Sequence, residues 1–226
     1  MSLKSKLIVR SAVTFLIASG LLFIPATTFD YWQAWVYLAI VFVPMVVFSV
    51  YYYAHDRALV ERRMETQEKE KEQVWIMRAA MTICIVGFLI PGLDHRLGWT
   101  RRLTGPVPLW LELVSLLLVL AGYLGTMWVT DVNRYAARTI RVEQHQPVIS
   151  TGPYRYVRHP LYAGGLLMWL ATAPALGSFV ALPVCFLLVP VFVLRLVNEE
   201  NLLRRDLPGY QEYCEHTRYR LVPYIW

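Results

Sequence analysis

The chain has 226 residues, 57% of them hydrophobic and 14% aromatic, with a mean hydropathy of +0.42 and a formal net charge of +6. That is too apolar for a water-soluble domain of this length and marks an all-α, polytopic integral membrane protein. The positive charge needs no nucleic acid to explain it, because anionic lipid at a membrane surface is the plainer partner.

Lys4, Lys6 and Arg10 flank the start of a first apolar run, Ile8–Phe29. A signal peptide has the same opening, but a second run follows at once and "FIPATTFDYW" lacks a small-residue cleavage pattern, so the run reads as a retained helix. Tyr31–Ala54, Trp75–Leu93 and Pro108–Thr130 come next, each near the ~20 residues that cross a ~30 Å hydrocarbon layer. Between the second and third, the charged stretch "ERRMETQEKEKEQ", Glu61–Gln73, reads as a solvated, helical loop.

The stretch Leu161–Val197 is too long for one span. Pro174 and Gly177 divide it into a short helix ending near Ala173 and a longer one over Ser178–Val197. At about 13 residues, or ~20 Å, the short arm enters the bilayer without quite crossing it. Pro44, Pro183 and Pro190 inside spans are tolerated as kinks. One domain is expected, with four spans over residues 1–130 and a loop, a helical hairpin and a tail over 131–226.

Positive residues give the orientation. Of the 22 lysines and arginines, 17 fall in the N-terminus, the loops 55–74 and 131–160 and the tail after Glu199; the opposite loops hold only Arg96, Arg101 and Arg102. Both termini and the polar motifs are therefore expected on the cytoplasmic face of an inner or plasma membrane.

Cys84, Cys185 and Cys214 show no paired spacing, and the five histidines are scattered. No disulfide and no metal site is expected. The absence of a GxGxxG unit, a P-loop or a GxSxG elbow leaves a Rossmann enzyme, a nucleotidase and a serine hydrolase unsupported.

What remains is a constellation in two pieces, "QPVISTGPYRYVRHPLY" (Gln146–Tyr162) and "RLVNEENLLRRDLPGYQEYCEHTRYRLVPYIW" (Arg195–Trp226). Pro160 suits the first turn of a helix, and this places His159 and Tyr162 at the mouth of the hairpin, where free amides favour an anionic group. Arg195 and Glu199 lie four apart on one helical face at the end of the last span. Charges at a membrane boundary mark a functional site by default. Caps, belt aromatics and an ordinary ion pair are the structural alternatives for each residue alone. The hairpin, however, returns both clusters to one face, where they can form one pocket.

"GPYRYVRHPLYAG", a hydrophobic hairpin, the pair Glu199–Glu200 and "LPGYQEYCEHTRYRLVPYIW", in this order, resemble the isoprenylcysteine carboxyl methyltransferase family over roughly the last hundred residues. The resemblance implies S-adenosylmethionine bound without a Rossmann fold and without metal. It implies that Gln146, Pro147, Val148, Ile149 and Tyr154 line the cofactor, that His159, Pro160, Leu161 and Tyr162 bind it at the helix start, and that Glu199 holds it from the last span. Arg195 would face a lipophilic acceptor, the carboxylate of an isoprenylcysteine or isoprenoid-like molecule, with a thiol or a phospholipid amine as alternatives. Arg195 and Glu199 are the residues expected to carry catalysis. Glu143 stands where relatives often have glutamine. Membrane sterol and ene reductases, which use NADPH, share an RHPxY-type motif and a similar tail, but usually carry Asp-Asp at the acidic pair and have more spans. A non-enzymatic scaffold would bind neither cofactor.

Overall fold

A computed structural model describes residues 2–64, 71–135 and 146–226, and among these it is all helical. The helices are α1 (Leu3–Ala26), α2 (Trp32–His55), α3 (Arg57–Met64), α4 (Lys71–Leu97), α5 (Trp99–Leu103), α6 (Leu109–Val132), α7 (Pro160–Ala175), α8 (Leu182–Phe186), α9 (Leu188–Asp206) and α10 (Tyr210–His216), with a 3₁₀ turn at Gly152–Arg155. Five segments are long and apolar enough to cross a membrane: α1, α2, Gln73–Leu97, α6 and Leu182–Asp206. With α7 as the short arm, this is the expected four spans plus a hairpin. Residues such as Leu16, Val47, Met81 and Leu117 face outward, as they must where the surroundings are lipid. Exposed tryptophans cluster at the ends of the bundle, Trp32, Trp35 and Trp110 at one end and Trp75 and Trp128 at the other.

The helix bounds depart from the hydropathy runs for identifiable reasons. Helix α1 begins at Leu3 because Ser2 caps it, its Oγ accepting from the Ser5 amide at 3.2 Å, so the polar first turns stay helical. The long arm of the hairpin begins at Leu182 rather than Ser178, and it is interrupted at Leu187. Pro190 lacks the N–H that would bond the Phe186 carbonyl and its ring crowds that carbonyl, so α8 stops at Phe186. Helix α9 then runs past Val197 to Asp206, with Arg204 and Arg205 in its last turn, where cations suit the helix end. The stretch Glu61–Gln73 is not simply a solvated loop. Residues 61–64 complete α3, 71–73 open α4, Gln73 is buried, and 65–70 lie outside the described residues.

The spans alternate so that α3, the ends of α2 and α6, the start of α7 and the tail meet at one end of the bundle. Tyr52 donates to Asp131 Oδ1 at 2.9 Å, Arg63 to Thr130 Oγ1 at 3.0 Å, and Arg10 to the Met64 carbonyl at 3.1 Å. At the other end, the hairpin turn is tied down by side chains. Asp94 accepts from the Thr100 amide at 2.8 Å and from Ser178 Oγ at 2.6 Å, Thr100 Oγ1 accepts from the Phe179 and Val180 amides, and Tyr31 donates to the Leu176 carbonyl at 2.6 Å. Backbone groups buried at this depth have no water to turn to, so these bonds satisfy them.

Helices α6 and α7 pack backbone to backbone. A Cβ at Gly122 would stand 2.7 Å from the Gly164 carbonyl oxygen and 2.9 Å from the Met168 amide. Small residues permit this close approach, which brings the start of α7 against the end of α6.

Replacing Gly122 with alanine forces the two helices apart and is expected to cost about 1–3 kcal/mol, read as a lower melting temperature in detergent. Gly125, on the same helix with nothing within 4 Å of its Cβ position, is the control. Its alanine variant is expected to be neutral or slightly stabilising, by up to about 1 kcal/mol.

Candidate functional site

A cavity of about 850 Å³, part of it open to solvent, lies where α9, the start of α7, the Gln146–Arg158 segment and α10 converge. Each wall follows from local sequence. In α9, Arg195, Glu199, Leu202 and Leu203 line the cavity, the i, i+4, i+7, i+8 stripe of one helical face. From α10 come Tyr210 and Tyr213, three apart, and from the first turn of α7 come Leu161 and Tyr162. Gln146, Pro147, Val148, Ile149 and Tyr154 close the remaining side with Asn133, Tyr135, Arg158 and His159.

Sequence-remote candidates thus share one cavity: Gln146, Pro147, Val148, Ile149, Tyr154, His159, Leu161, Tyr162, Arg195 and Glu199 all line it. Pro160 does not. It is buried at the first position of α7, where its fixed φ shapes the helix start. Glu143 lies outside the described residues.

Tyr162 donates to Glu199 Oε2 at 2.6 Å, which fixes that carboxylate on the cavity wall. Arg195 is 7% exposed and donates from Nη1 to Gln73 Oε1 at 3.2 Å, so a residue from the start of α4 steadies it. Asn133 Nδ2 donates to the Tyr154 hydroxyl at 2.9 Å, and the Tyr213 hydroxyl donates to the Tyr154 carbonyl at 2.7 Å. Burial pushes the phenols of Tyr154 and Tyr213 well above the ordinary tyrosine value, so both remain neutral hydrogen-bonding groups.

Behind this wall sits an ionic cluster that hydropathy and motif spacing do not reveal. Glu200, 3% exposed, accepts from Arg158 Nε at 2.7 Å and Arg220 Nε at 2.9 Å, and its Oε1 lies 3.3 Å from His159 Nε2. Backbone bonds run in parallel. The Arg158 amide donates to the Tyr219 carbonyl and the His159 amide to the Arg220 carbonyl, each at 2.9 Å. Neighbours on a helix point about 100° apart, so of Glu199 and Glu200 one reaches the cavity and the other faces the tail. The adjacent glutamates therefore divide the work, Glu199 toward the cavity and Glu200 toward structure. The signals for Glu200 were the acidic pair itself and the two arginines at Arg158 and Arg220 inside the polar motifs.

Other contributors had weaker signals. Gln73 lies in what reads as a solvated stretch, Asn133 in the loop 131–160, and Leu202 and Leu203 beyond the last apolar run, where nothing in the sequence singles them out. Among the described residues no three His, Cys, Asp or Glu side chains converge as a metal site needs.

Residues 110–208 match the family model described as phospholipid methyltransferase. The chain is similar to the Delta(14)-sterol reductase of Mus musculus, 32% identical over 102 residues, which is 43% of this chain and 24% of that protein. It is also similar to the nickel-cobalt-cadmium resistance protein NccN of Alcaligenes xylosoxydans xylosoxydans, 29% identical over 107 residues, and to the cobalt-zinc-cadmium resistance protein CzcN of Cupriavidus metallidurans, 32% identical over 107 residues. Each of those two alignments covers 46% of this chain and 49% of the relative. The chain therefore spans from about a quarter to about half the length of these curated relatives.

Glu200→Gln should separate the structural glutamate from the cavity one. Removing the charge leaves the buried Arg158 and the half-buried Arg220 against a neutral amide, and breaking a buried ion pair such as Arg158–Glu200 costs ~3–5 kcal/mol. The expected result is a lower melting temperature and rapid proteolysis within residues 207–226. Glu199→Gln should leave both the melting temperature and the protease pattern close to those of the unsubstituted protein.

Proposed function

We propose, from the match of residues 110–208 to the family model described as phospholipid methyltransferase, that this chain is a membrane enzyme of the isoprenylcysteine carboxyl methyltransferase type, transferring a methyl group from S-adenosylmethionine to a lipophilic acceptor. The observation that carries the reading is the convergence of Gln146–Ile149, Tyr154–Tyr162 and Arg195–Glu199 on one cavity. Residues 1–226 act as one methyltransferase domain, in which the first four spans support the loop, hairpin and tail that hold the site.

The lining suits the donor's chemistry. Its apolar and aromatic walls, Val148, Ile149, Leu203 and Tyr213, fit a nucleoside. The carboxylate of Glu199 fits an ammonium or ribose hydroxyls, and His159 with the start of α7 fits a carboxylate. When bound, the donor supplies an electrophilic methyl group on a sulfonium, a reaction that calls for no metal. The protein's task is then alignment and exclusion of water. Glu199, oriented by Tyr162, holds the donor from α9. Arg195, oriented by Gln73, presents a guanidinium fork to an acceptor carboxylate and leaves one oxygen directed at the methyl carbon. An isoprenoid-like carboxylic acid suits this arrangement best; a thiol or a phospholipid amine would use the same cavity with less from Arg195. The excess of lysine and arginine at the cavity end of the bundle supports a cytoplasmic position for that end and for both termini.

A second reading is an NADPH-dependent reductase, favoured by the 32% identity to the mouse sterol reductase over 102 residues. The Glu199–Glu200 pair argues for the methyltransferase. The two separate cleanly by mass action, since a ligand that binds only the folded protein raises its melting temperature. S-adenosylhomocysteine is expected to raise it in a dose-dependent way and NADPH to leave it unchanged; the opposite pattern would establish the reductase, and no shift with either would favour a scaffold.

Arg195→Lys keeps the charge but loses the planar fork. With labelled donor and an isoprenoid acid as acceptor, turnover efficiency is expected to fall tenfold to a thousandfold, about 1.4–4 kcal/mol of transition-state stabilisation, while donor affinity holds. Equal activity in the lysine variant would exclude carboxylate clamping by Arg195.

A further inference from the structure

Besides Tyr135, four tyrosines line the cavity, and three of their hydroxyls are committed within the protein. Tyr162 donates to Glu199, Tyr213 donates to the Tyr154 carbonyl, and the Tyr154 hydroxyl accepts from Asn133. Tyr210 is the fourth. It is 4% exposed and lines the cavity, yet its hydroxyl oxygen is buried and has no hydrogen-bond partner. The ring is firmly seated. It packs in a cluster with Leu207, Tyr213, Val148 and Leu203, its centroid is 5.7 Å from that of Tyr213, and the Tyr210 amide donates to the Leu207 carbonyl at 3.2 Å.

A buried hydroxyl without a partner is uncommon in native structures and unfavourable, and each instance calls for a reason. Here the reason lies in its location, since a group in a cavity wall can be satisfied by whatever occupies the cavity. Burial first, and then the negative charge of Glu200, pushes the phenol far above the usual tyrosine value. The group is therefore a neutral O–H donor that also keeps its acceptor lone pairs.

We propose that the Tyr210 hydroxyl is a ligand-binding group whose hydrogen bond is completed by the nucleoside portion of the methyl donor, an inference that rests on the S-adenosylmethionine reading above. The ionic groups of the cavity, Arg158, His159, Arg195 and Glu199, belong to the start of α7 and to α9. The ring of Tyr210 instead packs in the apolar and aromatic nook of Val148, Leu203, Leu207 and Tyr213, with its hydroxyl within reach of the charge of Glu200. That surface suits a flat, uncharged heteroaromatic ring whose edge nitrogens need only one or two hydrogen bonds, and the tyrosine hydroxyl supplies a donor for one. The charged amino-acid portion is left to the ionic side. Tyr210 thereby tells a nucleoside donor from an apolar molecule of the same shape, because an apolar occupant leaves the hydroxyl unsatisfied.

Tyr210→Phe removes the oxygen and little else. The melting temperature of the full-length, ligand-free variant is expected to equal or exceed that of the unsubstituted protein, since an unsatisfied polar atom has been deleted. Affinity for S-adenosylhomocysteine is expected to fall about three- to tenfold, the effect of one neutral hydrogen bond. 5′-Methylthioadenosine, which keeps the nucleoside and lacks the amino-acid portion, should lose affinity by a similar factor in competition. A lower melting temperature without ligand would show that the hydroxyl serves the fold and would overturn the proposal, as would unchanged affinity for S-adenosylhomocysteine. A loss confined to S-adenosylhomocysteine would overturn the nucleoside assignment. If the unsubstituted protein binds S-adenosylhomocysteine and the variant binds it equally well, only this inference fails. If the unsubstituted protein does not bind it at all, the proposed function fails too.

Discussion

The cavity end of the bundle depends on one buried carboxylate. Glu200 lies on α9, and the groups that reach it come from the segment before α7 and from the tail, Arg158 and His159 on one side and Arg220 on the other. Three separate stretches of the chain are held together by the two oxygens of one side chain. A carboxylate withdrawn this far from water is stable only if both oxygens are engaged by charged donors. The constraint is therefore mutual: the glutamate fixes the arginines, and the arginines make the glutamate tolerable. The cavity wall inherits its shape from that arrangement, because Tyr210 and Tyr213 reach the cavity only when the tail is docked and Leu161 and Tyr162 only when α7 starts where it does.

The opposite end of the bundle is held in a similar way by neutral and acidic hydrogen bonding. Asp94 at the end of α4, Thr100 in α5 and Ser178 in the hairpin turn form one buried network, and Gln33 donates to Glu112 at 3.1 Å beside it. The hairpin turn is the least regular backbone inside the apolar layer, and its Phe179 and Val180 amides both donate to Thr100 Oγ1 of α5. Helix α7 is thus fixed at both ends, by Asp94 through the turn that follows it and by Glu200 through the loop before it, while Gly122 and Gly164 let it lie directly on α6. A site built on such an element is positioned by the scaffold rather than by its own loops.

Much of this was legible in the sequence because hydropathy and motif order report on strong effects. Apolar runs of membrane length located every span, and the "RHPLY" and acidic-pair motifs located the cavity residues from Gln146 to Glu199. What was not legible depended on direction or on partners. Hydropathy records where lipid begins, not where a helix ends, so it missed the polar first turns of α1, the extension of α9 to Asp206 and the break ahead of Pro190. The division of labour between Glu199 and Glu200 is a matter of azimuth on one helix, which two adjacent letters do not specify. Gln73 sits in a charged, lysine- and glutamate-rich stretch, and only tertiary packing places it against Arg195.

The shortness of α7 has a consequence for how the bundle fills its own depth. With 16 residues it rises about 24 Å, whereas the 24 residues of α6 beside it rise about 36 Å. The last turn of α7, Ala171–Ala175, is buried, and the hairpin turn beyond it packs against Asp94 and Thr100, so protein rather than lipid occupies the depth that α7 does not span. Irregular backbone shielded in this way is the kind that a membrane interior tolerates.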